Sequence, residues 1–81
     1  MTDKTPHDIV MEAIDLIGKD VRILVQVRNG VVVYQGTVSG YAEMGDTASV
    51  TLDDCHLARG VTIADHMLFD AKDVIDIEGT S

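Results

Sequence analysis

Apolar and polar positions alternate with two different periods along this chain, and the change of period separates one helix from a run of strands. Ile9, Val10, Ala13, Ile14 and Ile17 recur at helical spacing, with Asp8, Glu12 and Asp15 on the opposite side. That is one apolar stripe, and it predicts an amphipathic helix. Thr5 suits the cap, Pro6 the first helical position and Asp8 the first turn, where the dipole favours an anion. Gly18 reads as the C-terminal stop, with Lys19 close by to complement the carbonyl end. From Val21 the period becomes two: Val21, Ile23, Val25 and Val27 alternate with Arg22, Leu24, Gln26 and Arg28.

Asn29-Gly30 after that strand is a strong hairpin signal, predicting a type I′ turn with both central residues at positive φ. The next strand, Val31 to Tyr41, carries Gly36 and Gly40 inside it. Glycine weakens a strand unless a bend or a close backbone approach needs it, so the pair predicts a hard bend. Ala42 to Thr47 reads as a polar loop turning at Gly45-Asp46. Ala48, Val50 and Leu52 alternate with Ser49, Thr51 and Asp53 as a third strand, followed by a short connection from His56 to Gly60. Val61, Ile63 and Met67 to Phe69 form a fourth strand, bulged around Ala64-Asp65-His66. Asp70 to Asp73 is a tight turn, and Val74, Ile75 and Ile77 close the series.

The sum is mainly β: an N-terminal helix and five consecutive strands with short links. Meanders of this length curl to cover their edges, which predicts a strongly bent antiparallel small barrel. The final strand would leave an open edge, and pairing of such edges between copies closes a ring when the rotation permits. We divide the chain into a tail at residues 1–5, a domain at 6–78 and a tail at 79–81. No internal repeat or low-complexity segment interrupts it.

Composition narrows the functions. Eighty-one residues allow one core, and 46% hydrophobic content is enough to build it. Aromatics are only 4% (Tyr34, Tyr41 and Phe69), leaving few platforms for stacked bases. Fourteen acidic side chains against six basic ones give a net charge of −8, which repels phosphate and keeps a small oligomer dissolved. Lys19, Arg22 and Arg28 form the one basic concentration. Cys55 is the only cysteine, which excludes an internal disulfide and fits a reducing, cytoplasmic setting without a membrane partner.

At this point the residues resemble the Sm-like family (Sm, LSm and the bacterial Hfq relatives). Ile17-Gly18-Lys19 with Val21, Ile23 and Val25 resembles that family's passage from helix to first strand. Asn29-Gly30, Gly36-Thr37-Val38, Gly40-Tyr41 and Leu52-Asp53-Asp54-Cys55 resemble its glycine-punctuated second strand and its third. The resemblance runs from about Pro6 to Glu78, and it implies ring-shaped oligomers that bind single-stranded RNA at the pore without catalysis. It places nucleic-acid contacts at Tyr41, Asp46, Thr47, Ser49, Asp70, Ala71 and Lys72.

Several of these positions depart from the family's pattern. Ser49 stands where an Asn is usual, Thr47 where a ring would stack, and Gly45 or Asp46 where the Asp would be. The segment from Gly40 to Ser49 is longer than usual. Asp70 replaces the cation of an Arg-Gly pair, which inverts the local electrostatics, with Lys72 as a partial substitute. A scaffold that binds protein partners and has lost RNA binding is the alternative the same residues imply.

Other chemistry is sparse. Asp53-Asp54-Cys55-His56 invites a metal or nucleophile reading, and period two puts Asp53 and Cys55 on one face, Asp54 and His56 on the other. With one cysteine and no paired histidine spacing, a buried structural Cys55 is the expectation and no metal or cofactor is implied. Asp65-His66 is the remaining acid–base candidate, and a small barrel offers it little concave volume. Read from the residues alone, Tyr41 is a side chain in partial core packing with a satisfied hydroxyl. Met44 is a loop side chain able to meet a ligand or a neighbouring subunit.

Overall fold

A computed structural model describes residues 5–57 and 62–80. The order is α1 (Pro6–Asp15), β1 (Asp20–Val27), β2 (Gly30–Met44), β3 (Thr47–Leu57), β4 (Thr62–Asp70), a 3₁₀ turn η1 (Ala71–Asp73) and β5 (Val74–Gly79). Of the expected tail at residues 1–5, residues 1–4 lie outside the described residues and Thr5 is the cap of α1. Ala58 to Gly60 of the expected connection and Val61 of the expected fourth strand also lie outside them.

The start of α1 is a reciprocal capping box. The Thr5 hydroxyl accepts the Asp8 amide at 3.1 Å, and the Asp8 carboxylate accepts the Thr5 amide at 3.2 Å. Ile9, Val10 and Ala13 are buried, as the stripe predicts. The helix ends sooner than the stripe suggests, at Asp15 with Leu16 as cap. Ile17 is left largely exposed, bridged to Val38 instead of sharing the helical face. Gly18, at φ +82°, lets the chain reverse, and its amide donates to the Val38 carbonyl at 2.8 Å.

The five strands form one antiparallel sheet in the order β4-β3-β2-β1-β5. The sheet is open, which corrects the expectation of a closed barrel. β5 spends its ladder on β1, so β4 and β5 are the two edges and exchange no ladder among the described residues.

The first hairpin is present with a different turn. Val27 pairs with Gly30, so the connecting residues are Arg28 and Asn29. Neither has positive φ; Gly30 takes it, at +143°. The expected loop at Ala42 to Thr47 is mostly ladder. Pairing continues out to Met44 opposite Thr47, and only Gly45-Asp46 turns, with Gly45 at φ +58°. An uninterrupted ladder satisfies the backbone groups a six-residue loop would leave to water.

β2 meets β3 with register shifts at Gln35/Thr37 and Val38/Gly40, beside the two glycines. Opposite the first shift Asp54 has φ +52°, the one non-glycine residue with positive φ among those described. That bulge breaks the period of two. Leu52 and Cys55, three apart, are both buried, and Asp53 faces the other way. The expectation that Asp53 and Cys55 share a face is therefore overturned. The β4 irregularity falls at Ile63, opposite Cys55/His56, rather than at Ala64 to His66.

The core is aliphatic: Val21, Ile23, Val38, Val50, Leu52 and Cys55 from β1 to β3 join Ile9 and Val10 of α1. Phe69 is buried in the same core, and the partly buried Tyr34 packs against it with ring centroids 5.0 Å apart and planes tilted 54°. Order runs past Glu78: Gly79 ends β5, and the Thr80 amide donates to the Asp20 carbonyl at 3.0 Å.

Candidate functional site

Because directly paired residues in a sheet share a face, register decides which candidates meet. Ala42 pairs with Ser49, and Ser49 with Asp70; Met44 pairs with Thr47, and Thr51 with Leu68. These side chains stand on the outer face, opposite the core. There Met44, Thr47, Ser49, Leu68 and Asp70, with Ala42 and Ala48, line a groove of about 300 Å³. Its lining includes two hydroxyls and a carboxylate, and its apolar members Met44 and Leu68 are 76% and 65% exposed.

Three of the seven predicted contacts therefore converge: Thr47, Ser49 and Asp70. Lys72 is tethered beside them. Its backbone amide donates to Asp70 Oδ1 at 3.3 Å, capping η1, and its Nζ lies 3.8 Å from Oδ2 of the same carboxylate. The other three fall elsewhere. Tyr41 pairs with Val50, and Val50 with Phe69, so Tyr41 belongs to the core face although it is 47% exposed. Ala71 is buried under η1. Asp46 sits exposed in the Gly45-Asp46 turn and does not line the groove.

Ala42 and Leu68 are lining residues the sequence reading left without a place, and Met44, expected in a loop able to meet a ligand or a neighbouring subunit, lines the groove from the end of β2. Treating Gly45-Asp46 as a two-residue turn with strand on both sides would have put Ala42 and Met44 opposite Ser49 and Thr47.

The basic candidates do not gather. Lys19 and Arg28 bracket β1 at its two ends, roughly 30 Å apart at strand rise. Arg22, between them, donates to Glu78 of β5 at 3.1 Å.

The acid–base candidates are also redistributed. His66 does not pair with Asp65; its Nδ1 lies 2.6 Å from Asp53 Oδ1, directly across the β3–β4 ladder. This hydrogen bond, then one from Ser39, holds the Asp53 carboxyl below the usual carboxylate range. Cys55 is fully buried, its sulfur 3.8 Å from that of Met67, and burial pushes its thiol pKa up. His56 Nδ1 lies 2.9 Å from the Asp54 carbonyl oxygen, and its ring borders a smaller cleft of about 150 Å³ with Asp20, Gln35 and Thr37. Among the described residues no three His, Cys, Asp or Glu side chains are grouped to hold a metal ion. None of the described helices is long and apolar enough to cross a membrane.

The Glu43 carboxylate, on the Tyr41 side of β2, meets His7 of α1 at 2.9 Å. That contact raises the His7 pKa above its ordinary 6.5, first by the hydrogen bond and then by the charge.

Compared with known proteins, the chain matches no family model, no curated protein and no solved structure.

Proposed function

We propose that this chain is a non-catalytic, Sm-like binding module of the cytoplasm that assembles edge to edge into a homo-oligomeric ring and takes up single-stranded nucleic acid, RNA first, in its processing or regulation. One observation carries the reading. Thr47, Ser49 and Asp70, distant in sequence and assigned to nucleotide contact by resemblance alone, line a single groove large enough for a base. The groove's chemistry suits base edges rather than phosphates: two hydroxyls and a carboxylate can exchange hydrogen bonds with ring and exocyclic N–H groups. Met44 and Leu68 supply apolar surface in place of an aromatic platform. Lys72, its Nζ 3.8 Å from the Asp70 carboxylate, is a cation at hand for a phosphate.

The open edges β4 and β5 support the assembly, since among the described residues no further strand pairs with the outer side of either. A second reading, a scaffold for protein partners without RNA binding, is favoured by the exposed Met44 and Leu68 beside Asp70 on a chain of net charge −8.

The test is titration of oligo-U, oligo-A and single-stranded DNA into the protein under conditions where its mass shows an assembly. Saturable binding with a shallow salt slope, about −1 in log–log form for one or two phosphates per chain, is expected. No binding by the assembled protein would overturn the nucleic-acid reading and leave the scaffold.

A further inference from the structure

Among the described lining residues, the polar side chains of the groove offer a ligand more acceptors than donors. Asp70, as a carboxylate, only accepts. Its Oδ1 takes the Lys72 amide at 3.3 Å, and the Lys72 Nζ stays 3.8 Å from Oδ2, beyond hydrogen-bond distance, so lone pairs remain on both oxygens. The Thr47 hydroxyl gives its hydrogen to the Met44 carbonyl at 2.9 Å and meets a ligand with lone pairs alone. The Ser49 hydroxyl can give as well as accept. Ser49 stands directly opposite Asp70 across the β3–β4 ladder. A hydroxyl and a carboxylate are therefore neighbours on one face, their Cβ atoms about 5 Å apart.

The four RNA bases differ in what they bring to that pair. The Watson–Crick edge of guanine holds two neighbouring donors, the ring N1–H and an exocyclic N2–H, with the O6 acceptor on the other side of N1. A carboxylate can take both donors at once, and a hydroxyl beside it can give to O6. Uracil has a single N3–H between two carbonyl oxygens. Adenine and cytosine each set a ring-nitrogen lone pair beside their one amino group. Against Asp70 these three bases leave a lone pair facing a carboxylate oxygen, and an unmade contact of that kind costs binding.

We infer that the groove reads guanine: the Asp70 carboxylate accepts from N1–H and N2–H, and the Ser49 hydroxyl donates to O6. This rests on the nucleic-acid reading proposed above and names the base that the groove selects. The exposed Met44 and Leu68 offer apolar surface to the ring faces and leave the choice of base to the edge contacts.

Titration of the full chain with the RNAs UUGUU, UUAUU, UUCUU and UUUUU at one salt concentration reads this directly, because the phosphate contribution is common to all four. UUGUU should bind about tenfold more tightly than the other three, the scale of one bidentate edge contact. Inosine in place of the guanosine removes only the N2 amino group and should lose at least about threefold. Asp70→Asn keeps an acceptor for the Lys72 amide but offers only one side-chain oxygen to the base. In that variant the ratio between UUGUU and UUUUU should fall to about one, even though UUUUU itself gains from the lost charge.

Equal affinity for the four RNAs, or preference for another base, overturns the guanine assignment and leaves the nucleic-acid reading standing. Inosine that binds as well as guanosine overturns the N2 contact, and this result is independent of any variant's folding. A guanine preference that survives Asp70→Asn, with the circular dichroism of the fold unchanged, places the selection on another surface and overturns it too. Absence of binding to all four by the assembled protein overturns the nucleic-acid reading itself, and the base assignment with it.

Discussion

A Cβ built on Gly36 would stand 2.8 Å from the backbone carbonyl oxygen of Asp53, closer than real side chains approach a fixed atom. β2 and β3 press together at this point, beside the shift in register, and only a missing side chain permits it. Gly36→Ala should therefore cost about 1–3 kcal/mol, because the obstacle is backbone and cannot rotate away. In a domain of this size each kcal/mol lowers the melting temperature by about 4–8 °C. Gly40 is the internal control, with no atom within 4 Å of its built Cβ and no positive φ. Gly40→Ala should be neutral or stabilise by up to about 1 kcal/mol through the unfolded chain. Equal melting temperatures for the two variants would refute the close approach.

Asp54 occupies the left-handed region at φ +52° while exposed, so its conformation rather than its contacts sets its energy. Asp54→Val should lose about 1–2 kcal/mol, since a β-branched side chain is a steric outlier there. Asp54→Gly should range from neutral to about 1 kcal/mol stabilising. Denaturant unfolding that ranked the valine variant at or above the glycine variant would contradict the bulge.

Asp54 also marks where legibility in the sequence stops. Local signals read through well: Thr5 and Asp8 form the cap, Val21 to Val27 alternate into β1, and Gly36 sits where two strands crowd. Each depends on residues adjacent in the chain, or on one face of one element. Register is different, because it is fixed by which strand meets which and by single extra residues. The αL turn at Asp54 sends Asp53 outward and Cys55 inward, against a period of two. Pairing up to Met44 and Thr47 turns an expected loop into strand and opposes Ala42 to Ser49. Tyr41, next in sequence to Ala42, is thereby sent to the other side of the sheet from the groove. Sheet closure is equally non-local: β5 satisfies its backbone on β1, and nothing in its six residues announces that choice.

His7 and Glu43 join the first turn of α1 to the far end of β2, with Nδ1 and Oε2 2.9 Å apart. The folded pKa of His7 is raised above 6.5 by this contact, so its contribution to stability is complete below 6.5 and is lost as pH rises through the folded value. Glu43→Gln should return the His7 titration midpoint, read by proton NMR, toward 6.5. Thermal unfolding should show native over variant at about pH 5.5, with the difference gone by about pH 8.5. A variant that leaves the His7 midpoint unmoved would show that the contact does not form in solution. Asp53 has the opposite sign. Its carboxyl is held below 3.8, so its contribution is present above that value and fades as pH falls through the folded pKa.

Cys55 is fully buried against Met67, and the loss of solvent raises its pKa. The thiolate is the reacting form, so burial reduces both its population and its access. Alkylation by iodoacetamide at about pH 8 should be at least about a hundredfold slower in the folded protein than for a free cysteine. Full reactivity should return in denaturant. Rapid labelling of the folded chain would mean that β3 and β4 separate at this point often enough to expose the thiol.

Asp70 has two roles that a single substitution confuses: its Oδ1 caps η1 through the Lys72 amide, and its carboxylate lines the groove. Asp70→Asn keeps an acceptor for the cap and removes the charge, so stability should change little. Asp70→Arg loses the cap, at about 1 kcal/mol, and replaces an anion with a bidentate phosphate donor. If nucleotides occupy the groove, oligo-RNA affinity should rise in the order native, Asn, Arg, with about tenfold between the ends. Ser49→Ala should weaken binding by about threefold at unchanged stability, since its hydroxyl lines the same groove. A flat series across Asp70, with binding intact, would place the nucleic acid on another surface. A rise with Arg alone, unaffected by Ser49→Ala, would show a created phosphate contact rather than a native base site.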